Sequence, residues 1–191
     1  PMEAKLQEGD IYVLAKLGIL EYLTSGITTN FDMYVDNFAH AGASIEMGFR
    51  TVFCGEMNDF TGSLERTREE YETINAMNPL VSFRLGIHAE YTTKLDTIKG
   101  IVDLCHKYKE GFWTHNSETK SEVEGCLERY QKTPTELFES LGAFEYGGGG
   151  FHCVHMSDND IEIFKRRGLW VVTNPGSNTK LASGIADITK M

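Results

Sequence analysis

The chain has 191 residues, 41% of them hydrophobic and 24% charged, the make-up of an ordinary globular protein able to bury one sizeable core. A net charge of −10 and the lack of any basic stripe argue against a nucleic-acid partner, which would be held through Lys and Arg on phosphates. No apolar run approaches the roughly 18 residues of a membrane span, so a membrane partner is not expected either. Four widely spaced cysteines (Cys54, Cys105, Cys126, Cys153), without a CxxC pair or a preceding secretory signal, point to a reducing cytoplasm.

In chain order, Ile11, Leu14, Ala15, Leu17, Gly18, Leu20 and Leu23 recur close to a 3.6-residue period, which predicts a helix over residues 10–24 that Gly26 stops. A strand at 27–34, a helix at 35–48, a strand at 50–57 and a helix at 64–77 follow. Beyond Asn78-Pro79 the pattern gives a strand at 80–88, a helix at 95–108, a strand at 111–115, and helices at 121–131 and 135–140. A strand at 149–154, a helix at 158–167, a strand at 169–173 and a Pro/Gly/Asn-rich loop complete it. Six strands separated by helices imply a parallel α/β arrangement joined by right-handed crossovers. An open doubly wound sheet fits the length, whereas an eight-stranded barrel needs about 250 residues. Gly147-Gly148-Gly149-Gly150 lacks the Lys-Ser/Thr and the helix start of a phosphate loop, and is read as a strand entry where backbones approach closely.

Polar chemistry collects where the strands stop. His115 and Glu118 form His-x-x-Glu at one strand end, where alternation sets Trp113, His115 and Ser117 on one face. A neutral imidazole is a ligand for Zn²⁺ or Fe²⁺ and a nearby carboxylate can shuttle protons, although a capped turn has the same pattern. His152 ends the strand at 149–154; His155 follows three residues later, a spacing poorly suited to a closed zinc site, and is read as structural or supporting. His88 ends the strand at 80–88. Asn174, Asn178 and Lys180 either tie down the final loop or touch a substrate. The segment 58–70 is expected to cover a substrate, with Arg66 or Arg68 pairing with a carboxylate or else lining a solvated helix face. His40 and His106, on predicted helices, are read as surface or packing residues.

Several stretches carry a resemblance that spans nearly the whole chain: Pro1-Met2-Glu3-Ala4-Lys5-Leu6, Gly26-Ile27-Thr28-Thr29-Asn30-Phe31-Asp32-Met33-Tyr34, Gly86-Ile87-His88-Ala89-Glu90-Tyr91-Thr92, Thr114-His115-Asn116-Ser117-Glu118-Thr119, His152-Cys153-Val154-His155, Asn174-Pro175-Gly176-Ser177-Asn178 and Lys180-Leu181-Ala182-Ser183-Gly184-Ile185-Ala186. The sequence resembles the amidohydrolase superfamily, in the branch of aminohydrolases that deaminate purine nucleosides, including S-adenosylhomocysteine and methylthioadenosine deaminases, or dechlorinate triazines. The resemblance reverses the preference for an open sheet. It implies a partial (β/α)8 TIM barrel, strands two to seven, within a single catalytic fragment over residues 1–191 that lacks the first strand, the eighth strand and the β-sandwich of family members. It further implies His115 as metal ligand, Glu118 as proton-shuttling acid/base, His152 as the residue stabilising the attacking hydroxide and developing oxyanion, and His88 as a substrate contact. Glu90 departs from the proline usual after the His88 strand, and no lysine occupies that strand to support a two-metal variant. The activity implied is hydrolytic deamination of a purine-like or other small heterocyclic substrate, using one divalent metal, zinc or iron. The fragment itself is expected to be silent, to hold metal weakly and to self-associate through exposed strand edges; the alternative is a non-catalytic α/β binding or packing module left by truncation.

Overall fold

The computed structural model describes residues 5–191, so Pro1, Met2, Glu3 and Ala4 of the opening stretch lie outside the described residues. Helix and strand alternate as α1 (Glu8–Thr24), β1 (Thr29–Asp32), α2 (Asn37–Glu46), β2 (Arg50–Cys54), α3 (Leu64–Met77), β3 (Val81–Arg84), β4 (Gly86–Ala89), α4 (Leu95–Tyr108), β5 (Phe112–Asn116), α5 (Lys120–Tyr130), α6 (Pro134–Ser140), β6 (Gly148–His152), α7 (Asp158–Arg167), β7 (Trp170–Val172) and α8 (Pro175–Lys180). Every strand pairing is parallel, and the strands follow sequence order in two sheets, β1-β2-β3 and β4-β5-β6-β7. The expected α/β class with sequentially ordered parallel strands is therefore present.

Two expectations need correcting. The strand read over residues 80–88 is two strands, β3 and β4, with Leu85 alone between them and no helix. At this point the backbone changes partners: the Arg84 carbonyl accepts from Gly55 N–H at 2.9 Å, and the Leu85 carbonyl accepts from Trp113 N–H at 3.1 Å. The final loop, moreover, contains α8. Pro175 occupies its first turn, where a missing N–H costs nothing and the fixed φ suits a helix.

The described chain forms two compact units. The first comprises the chain up to Gly55 together with Glu65–Arg84. Its core joins the sheet residues Phe53 and Phe83, which are register partners, to Ile19, Phe49 and Ile74, all fully buried. Phe49 stacks on Tyr22 of α1 with ring centroids 5.6 Å apart. His40 is a packing residue: it is part-buried, its Nδ1 is 3.2 Å from Asp32 Oδ2, and its ring meets Phe53 edge-on.

The second unit comprises Glu56–Leu64 and Leu85–Met191. Helix α4 buries Ile98, Ile101, Val102 and Cys105, the i, i+3, i+4, i+7 stripe of an amphipathic helix. Helix α7 starts on a capping box between Ser157 and Asp160 and stops at Gly168, whose φ of 63° is a left-handed C-cap. Phe112, Phe138 and Phe144 pack ring against ring beneath β5 and β6. The glycine run supplies the close approach read from the sequence: a Cβ would lie 2.0 Å from the Phe112 carbonyl oxygen at Gly148 and 2.2 Å from that of Trp170 at Gly149. Strand β6 thus fits between β5 and β7 only because it lacks side chains there. His106 packs here, with Nε2 2.8 Å from the Gly142 carbonyl oxygen. Among the described residues no helix is long and apolar enough to cross a membrane, and the four cysteines are buried and not joined in disulfides.

Candidate active site

Three imidazoles meet at the C-terminal ends of β4, β5 and β6, all within the second unit. Ring centroids are 5.1 Å apart for His88 and His115, and 5.0 Å apart for His115 and His152. Strict strand alternation does not deliver this. Ala89 and Phe151, not His88 and His152, are the register partners of His115. A register irregularity between Gly86 and Ala89 displaces β4 against β5, the kind of bulge that re-aims a side chain beside a functional site. At the other strand, His152 and Cys153 both adopt left-handed backbone, with φ of 69° and 49°, and this turn carries the His152 ring towards His115. The turn is secured by the end of β5, whose Asn116 and Ser117 carbonyls accept from Cys153, Val154 and His155 N–H at 2.9 to 3.1 Å.

Glu118 follows directly, with Oε2 3.6 Å from His152 Nε2. Its position is set by a residue not singled out from the sequence. Glu122, almost fully buried, accepts from the N–H groups of Ser117 at 2.9 Å and Glu118 at 2.8 Å, while the Thr119 hydroxyl caps α5. The signal was there as Thr119-x-x-Glu122, a capping-box pattern. Burial pushes the Glu122 carboxyl up to about 7 against those backbone N–H bonds, which favour its charged form.

The electrostatics of His115 follow from burial first and from its two imidazole neighbours second: together they hold its pKa down at about 3, so the ring is neutral. Its Nδ1 is buried with no hydrogen-bond partner. A neutral imidazole with a buried, unpartnered nitrogen fits one position of a divalent-metal site. Among the described residues no group of three or more His, Cys, Asp or Glu side chains is placed to hold an ion, so no complete metal site is formed by them. Burial also lowers the pKa of His88, whose Nδ1 is 2.9 Å from Thr92 Oγ1. Thr92 closes a one-turn 3-10 helix, Glu90–Thr92, and the buried Glu90 carboxylate is anchored by Arg129 at 2.6 Å. The residue that replaces a proline is thus held by an ion pair instead.

The segment after β7 closes on the same groups. Asn178 Oδ1 is 2.7 Å from His152 Nδ1, the Ser183 hydroxyl is 3.4 Å from Glu118 Oε1, and His155 Nε2 is 2.8 Å from the Ser183 carbonyl oxygen. The structure therefore brings together His88, His115, Glu118 and His152. Arg66 and Arg68 belong to α3 in the first unit, where Arg66 pairs with Glu70 at 3.1 Å and lies over the Phe38 ring, while Arg68 is exposed.

Residues 2–191 match the amidohydrolase family over essentially the whole chain. The chain belongs to the amidohydrolase family. It is 39% identical to a 5-methylthioadenosine/S-adenosylhomocysteine deaminase of Caldanaerobacter subterraneus, over 100% of this chain and 46% of that protein. An adenosine deaminase from Xanthomonas campestris, solved with bound zinc, superposes with a TM-score of 0.86 at 24% identity, over 95% of this chain and 43% of its own. An atrazine chlorohydrolase from Arthrobacter aurescens, complexed with zinc, gives a TM-score of 0.84 at 18% identity, over 99% of this chain and 48% of its own. This member of the family spans just under half the length of the curated relatives it matches. Its fold accordingly corresponds to part of the longer chains it matches.

Proposed function

We propose that this chain supplies the proton-transfer half of a metal-dependent hydrolase that deaminates a purine-like heterocycle. The observation that carries the reading is the placement of the His88 and His152 rings 5.1 and 5.0 Å from that of His115, with Glu118 3.6 Å from His152. Relatives named as methylthioadenosine/S-adenosylhomocysteine deaminases support an adenine-type ring, and zinc in the solved neighbours supports a divalent ion. His115 would be one of its ligands. A bound divalent ion supplies Lewis acidity that makes water a nucleophile near neutral pH.

The remaining chemistry belongs to the side chains of this chain. Glu118 takes a proton from the attacking water and returns it to the departing amine, the task of a general acid/base within reach of its partners. His152, its ring held in a fixed orientation, steadies the attacking oxygen through a hydrogen bond. His88, with Nδ1 engaged by Thr92, offers Nε2 to the substrate. Arg66 or Arg68 would pair with a substrate carboxylate, although the Arg66–Glu70 pair competes for that fork. Four buried cysteines outside disulfides suit a reducing cytoplasm. Strands β1 and β7, each at an edge of its own sheet, would be where copies of this chain associate.

The experiment is a panel. The zinc-loaded protein that carries this chain is offered 5′-methylthioadenosine, S-adenosylhomocysteine, guanine and a chlorinated triazine, and released ammonia and chloride are measured. Ammonia from an adenine nucleoside is the expected result. Turnover of none of the four, by protein that has bound its metal, would overturn the reading in favour of a binding or packing module.

A further inference from the structure

Between β7 and the end of the chain, a single short segment grips both side chains that would move protons, and Asn178 is its most buried member. Asn178 is 1% exposed and sits inside α8, where its N–H donates to the Asn174 carbonyl at 2.9 Å and its own carbonyl accepts from Ser183 N–H at 2.8 Å. The backbone at Asn178 is thus fixed on both sides, and its side-chain oxygen meets His152, itself 5% exposed, at 2.7 Å. The same segment reaches Glu118 through Ser183, and His155 anchors it by bonding the Ser183 carbonyl.

We propose that Asn178 is a positioning residue that selects, for the uncharged form of the His152 ring, the tautomer with its hydrogen on Nδ1. An amide oxygen can only accept, so the ring nitrogen it meets at hydrogen-bond distance carries the proton. Nε2 is then left with its lone pair, on the side where Glu118 lies 3.6 Å away. A free histidine side chain favours the hydrogen on Nε2, so the arrangement has to be imposed, and the left-handed backbone at His152 and Cys153 helps to aim the ring. Rotating the Asn178 amide would reverse every assignment. The two possibilities therefore differ in an observable.

The catalytic value of this role rests on the hydrolase reading above, but the tautomer does not, and the experiment separates them. In ¹⁵N-labelled protein carrying this chain, long-range proton–nitrogen correlations of the histidine rings are recorded at about pH 8.5, above the ordinary imidazole range. His152 is identified by its loss in His152→Gln. The expected spectrum shows His152 protonated at Nδ1 and bare at Nε2. Asn178→Leu should shift it towards the Nε2-protonated form, and Asn178→Asp, which keeps an acceptor, should preserve the wild-type pattern. In the active enzyme Asn178→Leu should lower kcat about ten- to a hundredfold with KM nearly unchanged. A wild-type ring protonated at Nε2, or an unchanged pattern in Asn178→Leu, overturns the proposal. Should Asn178→Leu fail to fold, the wild-type and Asn178→Asp spectra still decide, since loss of the pattern in Asn178→Asp also overturns it. An Nδ1-protonated ring in a protein without deaminase turnover would sink the hydrolase reading and leave the positioning role standing.

Discussion

Replacing Gly149 by alanine tests the claim that β6 is glycine-rich because its neighbours are too close for side chains. The new Cβ would sit 2.2 Å from the Trp170 carbonyl oxygen and 2.7 Å from the Trp113 ring. Ordinary carbon contacts begin near ~3.5 Å, so β7 or the indole has to retreat by roughly 1 Å or more. Strand β7 is held to β6 by only three register pairs, Gly149↔Trp170, Gly150↔Val171 and Phe151↔Val172. Overpacking of this kind typically costs about 1 to 3 kcal/mol, and each ladder hydrogen bond stretched adds about 1 kcal/mol. A destabilisation of about 3 kcal/mol is expected in urea unfolding followed by far-ultraviolet circular dichroism. Gly18→Ala is the control: it lies inside α1 with nothing within 4 Å of the added Cβ, and should stabilise by about 0.5 to 1 kcal/mol. A Gly149→Ala protein within 1 kcal/mol of wild type would refute the close-approach reasoning.

Three further outcomes are expected. The Glu122 carboxyl is raised from its ordinary 4.5 to about 7 in the folded chain, so its contribution is fully present below 4.5 and is lost as pH rises through about 7. Relative to Glu122→Gln, wild type should lose roughly 3 kcal/mol across that window, and a gain instead would mean that the backbone N–H bonds outweigh burial. Arg129→Met leaves the buried Glu90 carboxylate unpaired and should cost about 1 to 2 kcal/mol, less than a wholly buried pair because Arg129 is half exposed; denaturant titration showing no loss would mean that another contact holds the Glu90 turn. The 191-residue polypeptide alone, with no group of three ligands among its described residues, should lose zinc on dialysis against a chelator, and stoichiometric retention would contradict that.

The sequence made some of this architecture plain and concealed the rest for identifiable reasons. Helices α3, α4 and α7 begin and end where the pattern placed them, because apolar spacing such as Ile98, Ile101, Val102 and Cys105, and caps such as Ser157 with Asp160 and Gly168, are local signals. The break at Leu85 was invisible, since an apolar stretch reads alike whether it pairs with one sheet or passes between two. Helix α8 was hidden by Pro175, Gly176, Ser177 and Asn178, poor helix formers that nonetheless complete a short turn. At the site, strand ends marked His88, His115 and His152, but what makes them converge is a bulge in β4 and left-handed backbone at His152, which no side-chain pattern encodes. The partner of Asn178 lies 26 residues away in sequence, so its role could only be left open between loop anchor and substrate contact.

The central claim is that Glu118 moves the proton while other groups hold the metal. Its most direct test is Glu118→Gln in the zinc-loaded protein that carries this chain, with metal content and ammonia release from 5′-methylthioadenosine measured on the same preparation. The account requires zinc content equal to wild type and turnover lowered by about 10² or more, the usual contribution of general acid/base catalysis. Turnover within a few-fold of wild type, with the metal in place, would contradict it.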